Sequence, residues 1–412
     1  MDVVHERAAG MDVSKRDAKV AIRVPGKRAG TFTTTVTTWG ARVGQITELS
    51  EHLREAGVTV VVMEATGDYW KPFYYLMEDA GLPVMLVNAK QARNIPGRKT
   101  DVSDAAWLAQ LGAHGLLRAA FVPPEPVREL RDLTRARSHA VQEQSRAKQR
   151  LEKFLESTGI KLSGIVTDLL GVSARLMLDA LVAGERNPEV LASFAKGSLS
   201  KKTVELAEAL RAFRFGDHHA FMIGEYLAAI DQSQHRIDRL DARIEEAMAP
   251  FRSVRDALTT IPGVSQKVAD VIIAETGADM TVFETAGHLA SWAGVCPGHN
   301  ESAGRVKSAH TRPGNPYLKG ALGVAAMAAI RSKTSHLAPR YRNIAARRGK
   351  LKALVATERA ILTGVWHMLT TGTAWEDHGP DHYTRDPEHT KTRALRQLHA
   401  LGYNVELTPL AA

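Results

Sequence analysis

Acidic residues at four positions in the first quarter of the chain are of a type and spacing that could bind metal. Asp12 lies in the apolar segment AAGMDVS, and Glu64 directly follows the apolar run VTVVVM. Strands disfavour acidic residues, and a buried carboxylate is costly unless it is paired or bound to a cation. Asp101 and Asp104, three residues apart, would share one face of a helix. Four carboxylates brought together repel one another unless they hold a divalent cation, and hard oxygen ligands select Mg²⁺ or Mn²⁺.

Asp101 and Asp104 also have a purely structural explanation. Thr100 could cap a helix that begins at Asp101, and the helix dipole favours acids in or beside the first turn. Such a cap would also fix the direction of both carboxylates, so the two explanations are compatible. The spacing alone is weak evidence for a metal site. If such a site held two ions about 4 Å apart, its chemistry would be phosphoryl displacement.

Positive charge is concentrated in one segment. The chain has a net charge of +9, and residues 301–352 include twelve Lys or Arg and one acid, Glu301. This excess suits a polyphosphate partner, although a solvated surface without a partner would have the same composition. The candidate nucleic-acid-binding residues of this segment are Arg305, Lys307, Arg312, Lys319, Arg340, Arg342, Arg347, Arg348 and Lys350. A second set, Arg135, Arg146 and Arg150, lies in a charged helix predicted over 125–157.

A sheet and its helices must position the four acids. Three strand candidates lie between residues 8 and 38, and helices and strands alternate after them. The later elements are helices near 43–56 and 70–80, strands at 58–63 and 83–88, and a helix over 101–114. This order indicates a mixed α/β sheet domain over residues 1–122, which the Pro-rich FVPPEP ends.

The remainder of the chain is predicted to be mostly helical. Within residues 123–256, an apolar residue recurs at every seventh position from 223 to 251: Ile223, Ile230, Ile237, Ile244 and Phe251. The repeat favours a coiled-coil arm, within one chain or between protomers, and an ordinary buried amphipathic helix stays open. Residues 257–375 are predicted to be a C-terminal domain. It begins with LTTIPGVSQKVADVIIAETG, two short helices joined by a Pro-Gly turn, which is either a plain helical hairpin or a helix-hairpin-helix whose turn contacts DNA. A polar tail, 376–412, carries histidines without a convincing zinc spacing to Cys296.

Composition excludes several classes of protein. The 412 residues contain no apolar run of about 18, so no membrane span is expected. The N-terminus lacks the charge and apolar pattern of a signal peptide, and a single cysteine fits a reducing compartment. We therefore expect a cytoplasmic protein of two or three domains.

Five long motifs in order resemble the DEDD-type insertion-sequence transposases, relatives of the Piv site-specific DNA invertases. They are GMDVSK, MEATGDYW, GRKTDVSDAAWLAQL, IPGVSQKVADVIIAETG and LASWAGVCPGHNESAGR, and they span nearly the whole chain. The resemblance implies that the first domain has a RuvC-like, RNase H fold. It also implies that Asp12, Glu64, Asp101 and Asp104 are its four metal-binding acids. A coiled-coil domain and a C-terminal transposase domain would follow.

The same resemblance gives Ser302 a role. The family's nucleophilic serine follows a Gly-Leu/Val-x-Pro element, here Gly294 to Pro297, and would form a transient phosphoserine link to DNA. Arg305 and Lys307 could help to neutralise the phosphate, while Glu301 and Ser308 are the alternatives to Ser302 for a role in this loop. The implied partners are donor and target DNA, a structured bridge RNA that guides the protein, and further copies of the chain in a dimer or tetramer.

Two other functions stay open at this point. A junction nuclease with an RNase H fold would use the four carboxylates alone, leave hydrolysed ends and need no serine. An inactive nucleic-acid-binding regulator would need neither group. The presence of all four acids and the serine argues against the regulator.

Overall fold

The computed structural model describes residues 2–65, 67–88, 103–212, 215–298, 300–382 and 387–407. The chain divides into two compact units, Met1–Val122 and Pro123–Ala412. The first is a mixed α/β domain and the second is mostly helical, which confirms the predicted fold classes. Within the described residues, no helix is long and apolar enough to cross a membrane.

The first unit contains the strands and helices that the sequence predicts, with small changes in their limits. Its strands are β1 (Ala8–Val13), β2 (Asp17–Pro25), β3 (Phe32–Gly40), β4 (Val60–Glu64) and β5 (Val84–Val87). Its described helices are α1 (Val43–Glu55), α2 (Trp70–Asp79) and α3 (Asp104–Ala113). Glu64 is therefore the last residue of β4, where the sequence suggested the position after the strand.

The described strands form one mixed sheet in the order β3-β2-β1-β4-β5. β1 is antiparallel to β2 and parallel to β4, and β5 continues the parallel half. The β1–β4 register pairs Gly10 with Val62 and Met11 with Met63. One further step along both strands brings Asp12 level with Glu64.

The two faces of the sheet are covered by different helices. Met11 and Met63 pack with α1 and α2, through Ile46, Leu49 and Phe73. The opposite face carries Ala8, Val60 and Val62, which pack against Trp107, Leu108 and Leu111 of α3. Because side chains alternate along a strand, Asp12 and Glu64 belong to the face that α3 covers.

The start of α3 corrects the sequence-based expectation of a helix from Asp101. Ser103 has extended backbone angles, φ −61° and ψ 151°, and its side chain accepts a hydrogen bond from the Ala106 N–H. The described helix therefore begins at Asp104. Thr100 and Asp101 lie outside the described residues, as does the cap proposed for Thr100.

Helices dominate the second unit. The long ones are α4 (Glu125–Ser157) and α8 (Asp217–Ala247), separated by α5 (Val172–Val182), α6 (Pro188–Ser193) and α7 (Thr203–Ala209). Next come α9 (Arg252–Thr259), α10 (Gln266–Thr276) and α11 (Ala286–Trp292). A hairpin of β6 (Asn300–Ser302) and β7 (Arg305–Ser308) precedes α12 (Pro316–Ala329), α13 (Leu337–Arg348), α14 (Lys350–Thr371) and α15 (Pro387–Ala400).

The predicted isoleucine repeat is buried within the chain. Ile223, Ile230, Ile237 and Ile244 are the buried seam of α8, which packs along α4. Polar pairs fix an antiparallel alignment, since Arg137 of α4 bonds Asp241 while Gln144 bonds Gln234. The repeat thus forms an antiparallel helix pair inside the chain, and a coiled-coil assembly between protomers stays a prediction.

Candidate active site

Three of the four predicted acids lie at the same end of the N-terminal sheet. Asp12 and Glu64 lie one residue beyond the Met11–Met63 pair of the β1–β4 register, on neighbouring parallel strands. α3 runs antiparallel to β1, because Ala113 at its end accepts hydrogen bonds from Val4, ahead of the strand. The first residue of α3, Asp104, therefore lies at the end of the sheet that carries Asp12 and Glu64.

A close approach of α3 to the sheet fixes this arrangement. A Cβ on Gly10 would lie 2.1 Å from the Ala105 carbonyl oxygen and 2.3 Å from the Ala109 nitrogen. A Cβ on Gly112 would lie 2.5 Å from a methyl carbon of Val62. Only glycine admits the helix backbone at these distances, so the two glycines set the height of Asp104 above the strands.

The donor set fits a divalent cation in its chemistry. Asp12, Glu64 and Asp104 are half-buried carboxylates, which are the hard oxygen ligands of Mg²⁺ and Mn²⁺. The N-terminus of α3 adds a positive dipole end that favours anionic groups there. Among the described residues, however, no three His, Cys, Asp or Glu side chains converge closely enough to hold a metal ion. Asp101, the fourth predicted ligand, lies outside the described residues.

Ser302 occupies the tip of the β6–β7 hairpin in the second unit. It pairs with Arg305 across a two-residue turn, Ala303-Gly304, and its side chain is exposed. Both turn residues have positive φ, 51° for Ala303 and 74° for Gly304. Alanine is strained in this conformation, which matches a two-residue hairpin turn. The hairpin thus holds the hydroxyl in an exposed position at a strained turn, where backbone strain often accompanies function.

The base of this hairpin is fixed by backbone contacts. Pro297 forms an isolated bridge with Thr311, and the Gly298 N–H donates to the His310 carbonyl at 2.9 Å. A Cβ on Gly294 would lie 2.8 Å from the Arg312 carbonyl oxygen, so the chain on either side of the hairpin is in close backbone contact. The predicted Gly294-to-Pro297 element therefore anchors the loop that carries Ser302.

Most of the predicted basic residues are exposed. The exposed members of the set are Arg146, Arg150, Arg305, Lys307, Arg312, Arg342, Arg347, Arg348 and Lys350. Lys319 and Arg340 are half-buried, and the Lys319 ammonium donates to the Thr311 hydroxyl at 3.2 Å. The exposed group includes four cations on and just after α13.

Arg135 has a buried protein partner, and its role as a nucleic-acid ligand stays a prediction. Its guanidinium makes two 2.7 Å hydrogen bonds to Glu275, whose side chain is fully buried, and stacks on the Tyr317 ring. The hydrogen bonds to Glu275 raise the pKa of Arg135 against the opposing effect of burial. A charge count along α4 could not reveal this partner, because Glu275 lies 140 residues away.

Glu275 is a site residue that the sequence did not single out. It also accepts a 2.6 Å hydrogen bond from the Asn315 side chain, which in turn caps α12 through the Tyr317 and Leu318 N–H groups. The carboxylate thereby joins α4, α10 and the start of α12. Its place in the motif IPGVSQKVADVIIAETG was the only sequence signal.

Comparison with known proteins gives two family matches. Residues 9–160 match the transposase family DEDD_Tnp_IS110. Residues 255–342 match the transposase family IS116/IS110/IS902. The first match includes the segment of all four acids, and the second includes Ser302 and Glu275.

Two relatives come from insertion elements. The insertion element IS110 uncharacterized 43.6 kDa protein of Streptomyces coelicolor is 32% identical over 142 residues, or 34% of this chain and 35% of the relative. The insertion element IS900 uncharacterized 42 kDa protein of Mycobacterium paratuberculosis is 28% identical over 295 residues, or 66% of this chain and 71% of the relative. The chain thus matches about a third of the length of the first relative.

Proposed function

We propose that this chain, which carries both transposase domains of the IS110/IS116/IS902 family, cuts and exchanges the DNA strands of an insertion sequence. The observation that carries the proposal is the β1–β4 register, which brings Asp12 level with Glu64 at the sheet end where Asp104 begins α3.

The N-terminal unit is, in this proposal, an RNase H-like, RuvC-like domain. Support comes from its mixed five-stranded sheet, in which an antiparallel meander joins a parallel half. Further support comes from the acids, which lie on the two adjacent central strands. The domains that follow are a helical region over 123–256, a transposase domain over 257–375 and a polar tail.

Asp12, Glu64, Asp101 and Asp104 would hold Mg²⁺ or Mn²⁺. When bound, the metal would stabilise negative charge on the oxygens of a phosphodiester during displacement. The chain's own contribution is to keep Asp12 and Glu64 at one level and Asp104 above them through the Gly10 contact with α3.

Ser302 is the proposed nucleophile. Its Oγ forms a bond to phosphorus while the bond from phosphorus to one ester oxygen of the DNA backbone breaks, and the serine proton ends on that leaving oxygen. The product is a phosphoserine ester, which the hydroxyl of an exchanged strand reverses without net hydrolysis. Exposure at a hairpin tip lets the hydroxyl reach a backbone phosphate, with Arg305 across the turn and Lys307 on the same hairpin.

Donor and target DNA, a structured bridge RNA and a dimeric or tetrameric assembly are the proposed partners. The exposed cations of residues 305–350, together with Arg146 and Arg150, support a polyanionic ligand. In an RNA-guided protein, base pairing would select the sequence, and these cations would contact the backbone.

A strand-exchange assay on paired donor and target DNA, with the bridge RNA and Mg²⁺, tests the function. We expect recombinant product from the native chain and at least a 100-fold loss from Ser302→Ala, because removal of a nucleophile abolishes the covalent step. Ser308→Ala, in the same hairpin, is the matched control and keeps most activity. Hydrolysed ends without joined product, undiminished in Ser302→Ala, would favour the junction nuclease, and no cleavage at all would favour the regulator.

A further inference from the structure

A cleft in the second unit lies beside the base of the Ser302 hairpin. Its volume is about 1000 Å³, and its walls come from both sides of the hairpin, from α13 and α14, and from the tail after α14. Val295 and Pro297 line it ahead of the hairpin, and His310 and Thr311 line it behind. Whatever occupies the cleft therefore lies next to the loop that presents the serine.

The cleft carries positive charge. Arg340, Arg348, Lys352 and Arg359 line it, and no Asp or Glu is among its described lining residues. Within the described part of the chain, Arg348, Lys352 and Arg359 have no acidic partner. These side chains are exposed, so their charge is available to an anionic ligand.

Apolar and aromatic groups also line the cleft. Leu351, Val355 and Ala356 of α14 line the cleft together with Trp375, His378 and His382 of the tail. The Trp375 ring stacks with the buried His336 ring at 5.7 Å and an interplanar angle of 11°. The His378 and His382 rings stack at 4.6 Å. A surface that binds only phosphate needs no such wall of rings.

The ring wall is held in place by Asp377. Its carboxylate accepts hydrogen bonds from the His336 and Gly379 N–H groups, both at 2.9 Å, and lies 3.0 Å from His336 Nδ1. Although burial opposes ionisation, hydrogen bonds from Ser335, His336 and Gly379 hold the pKa of Asp377 well below its usual range. The carboxylate is thereby engaged in holding the tail and the start of α13.

The Trp375 ring also packs against α14 at Gly364, which has no side chain. A Cβ on Gly364 would lie 2.2 Å from the ring, so glycine at this position admits the indole against the helix. The ring is thus fixed on two sides, by Gly364 and by His336, at the wall of the cleft.

We propose that this cleft binds an unpaired nucleotide of single-stranded nucleic acid, with its base against the Trp375 wall and its phosphate on Arg348, Lys352 and Arg359. Nucleic acid as the ligand rests on the proposed function, whereas the unpaired state follows from the cleft. Bases stack on aromatic side chains only when they leave their own helical stack, and phosphates pair with cations. A cleft of this volume takes a molecule of nucleotide size. The strand next to the serine would be held open there.

Fluorescence anisotropy with short labelled oligonucleotides of one sequence tests the cleft on the full-length chain. The arms are single-stranded DNA, single-stranded RNA and duplex DNA at equal salt. Trp375→Ala is expected to weaken single-strand binding by roughly 5- to 100-fold, the loss expected when one base loses its stacking partner, and to change duplex binding much less. Trp375→Phe, which keeps an aromatic face, restores most of the affinity.

Neighbouring arginines supply a matched control for charge. Arg348 lines the cleft and Arg347, beside it on α13, does not. Arg347→Ala and Arg348→Ala each remove one positive charge, so both should weaken the general electrostatic attraction to nucleic acid equally. Only Arg348→Ala should cause an additional loss of affinity for the single strand. Equal losses for the two variants, or equal losses for single strand and duplex in Trp375→Ala, would overturn the cleft assignment.

Photocrosslinking of the native chain needs no variant and covers the case in which Trp375→Ala does not fold. A single-stranded oligonucleotide carrying 5-iodouracil is irradiated with the protein, and the linked peptide is identified by mass spectrometry. Attachment to Trp375, His378 or His382 supports the cleft, and attachment exclusively elsewhere rules it out. Preference for the DNA or the RNA arm identifies which strand occupies it. Failure of every arm, duplex included, would instead reject the proposed function.

Discussion

Glu275 shows how a single buried charge can organise the helices behind the candidate nucleophile. Its side chain is fully buried, yet it receives two hydrogen bonds from Arg135 and one from Asn315. Arg131 adds hydrogen bonds to the carbonyls of Ala274 and Glu275 at the end of α10. The carboxylate therefore neutralises an arginine that would otherwise be half-buried without a partner, and it positions the cap of α12.

Replacement of this carboxylate is expected to destabilise the second unit. Glu275→Gln keeps the shape of the side chain but leaves Arg135 without its counter-charge. The expected loss is about 3 kcal/mol, at the lower end for breaking a buried ion pair, because Arg135 retains some access to water. Urea unfolding followed by circular dichroism measures it. Glu284→Gln, at an exposed position, is the control, and equal midpoints for the two variants would contradict a structural role for Glu275.

At the scale of elements, the contact between β1 and α3 determines where Asp104 lies. Gly10→Ala forces a Cβ into the helix backbone, so α3 must move away from the sheet. We expect a loss of about 1–3 kcal/mol in the stability of the first unit, as for other overpacked sites, together with a larger loss of strand exchange than the stability change explains. Parallel unfolding and strand-exchange measurements test both.

Gly44 provides the matched control for this substitution. It lies in α1 with open space around the Cβ position, so Gly44→Ala should be neutral or stabilising by up to about 1 kcal/mol and leave activity intact. A Gly10→Ala protein with the stability and activity of Gly44→Ala would show that the approach of α3 is not needed.

The described elements of the sheet domain could be predicted because their patterns are local. Alternating residues in β2 and the apolar run of β4 are read directly from neighbouring positions. The start of α3 could not be predicted, because Thr100 and Ser103 are both residue types that cap helices and the sequence alone does not choose between them. The helix that packs on the isoleucine seam could not be predicted either, because the repeat in α8 indicates a buried face but not that α4 covers it.

Candidate site residues divide in the same way. Asp12 and Glu64 could be identified from the sequence because acidic residues are disfavoured at strand positions. The register of β1 and β4 then places the two residues level with each other. Ser302 has no local signature, and only the resemblance to transposases indicated it. The ion pair of Arg135 could not be predicted, because a count of charges along a helix does not contain a carboxylate 140 residues away.

At the scale of the whole molecule, the distribution of charge sets the conditions for nucleic-acid binding. Residues 301–352 hold twelve basic residues against one acid, and most of the cations are exposed. If six to ten of them contact phosphates, affinity for duplex DNA should fall by about 10³- to 10⁵-fold between about 50 and 200 mM salt. Titrations at several salt concentrations give the slope.

Single substitutions locate the contacts responsible for that slope. Arg342→Ala should lower it by about one phosphate contact, while Lys27→Ala, an exposed cation in the first unit, should leave it unchanged. A slope that does not respond to Arg342→Ala, or that responds equally to Lys27→Ala, would contradict a binding surface on residues 305–350.

The covalent link to DNA is the central claim, and peptide mass spectrometry tests it most directly. The chain is incubated with Mg²⁺, bridge RNA and donor and target DNA, quenched with denaturant, treated with nuclease and digested with a protease. We predict a nucleotide adduct on the peptide that contains Ser302, lost in Ser302→Ala and retained in Ser308→Ala. Cleaved DNA with no adduct, or an adduct on another residue, would contradict the account.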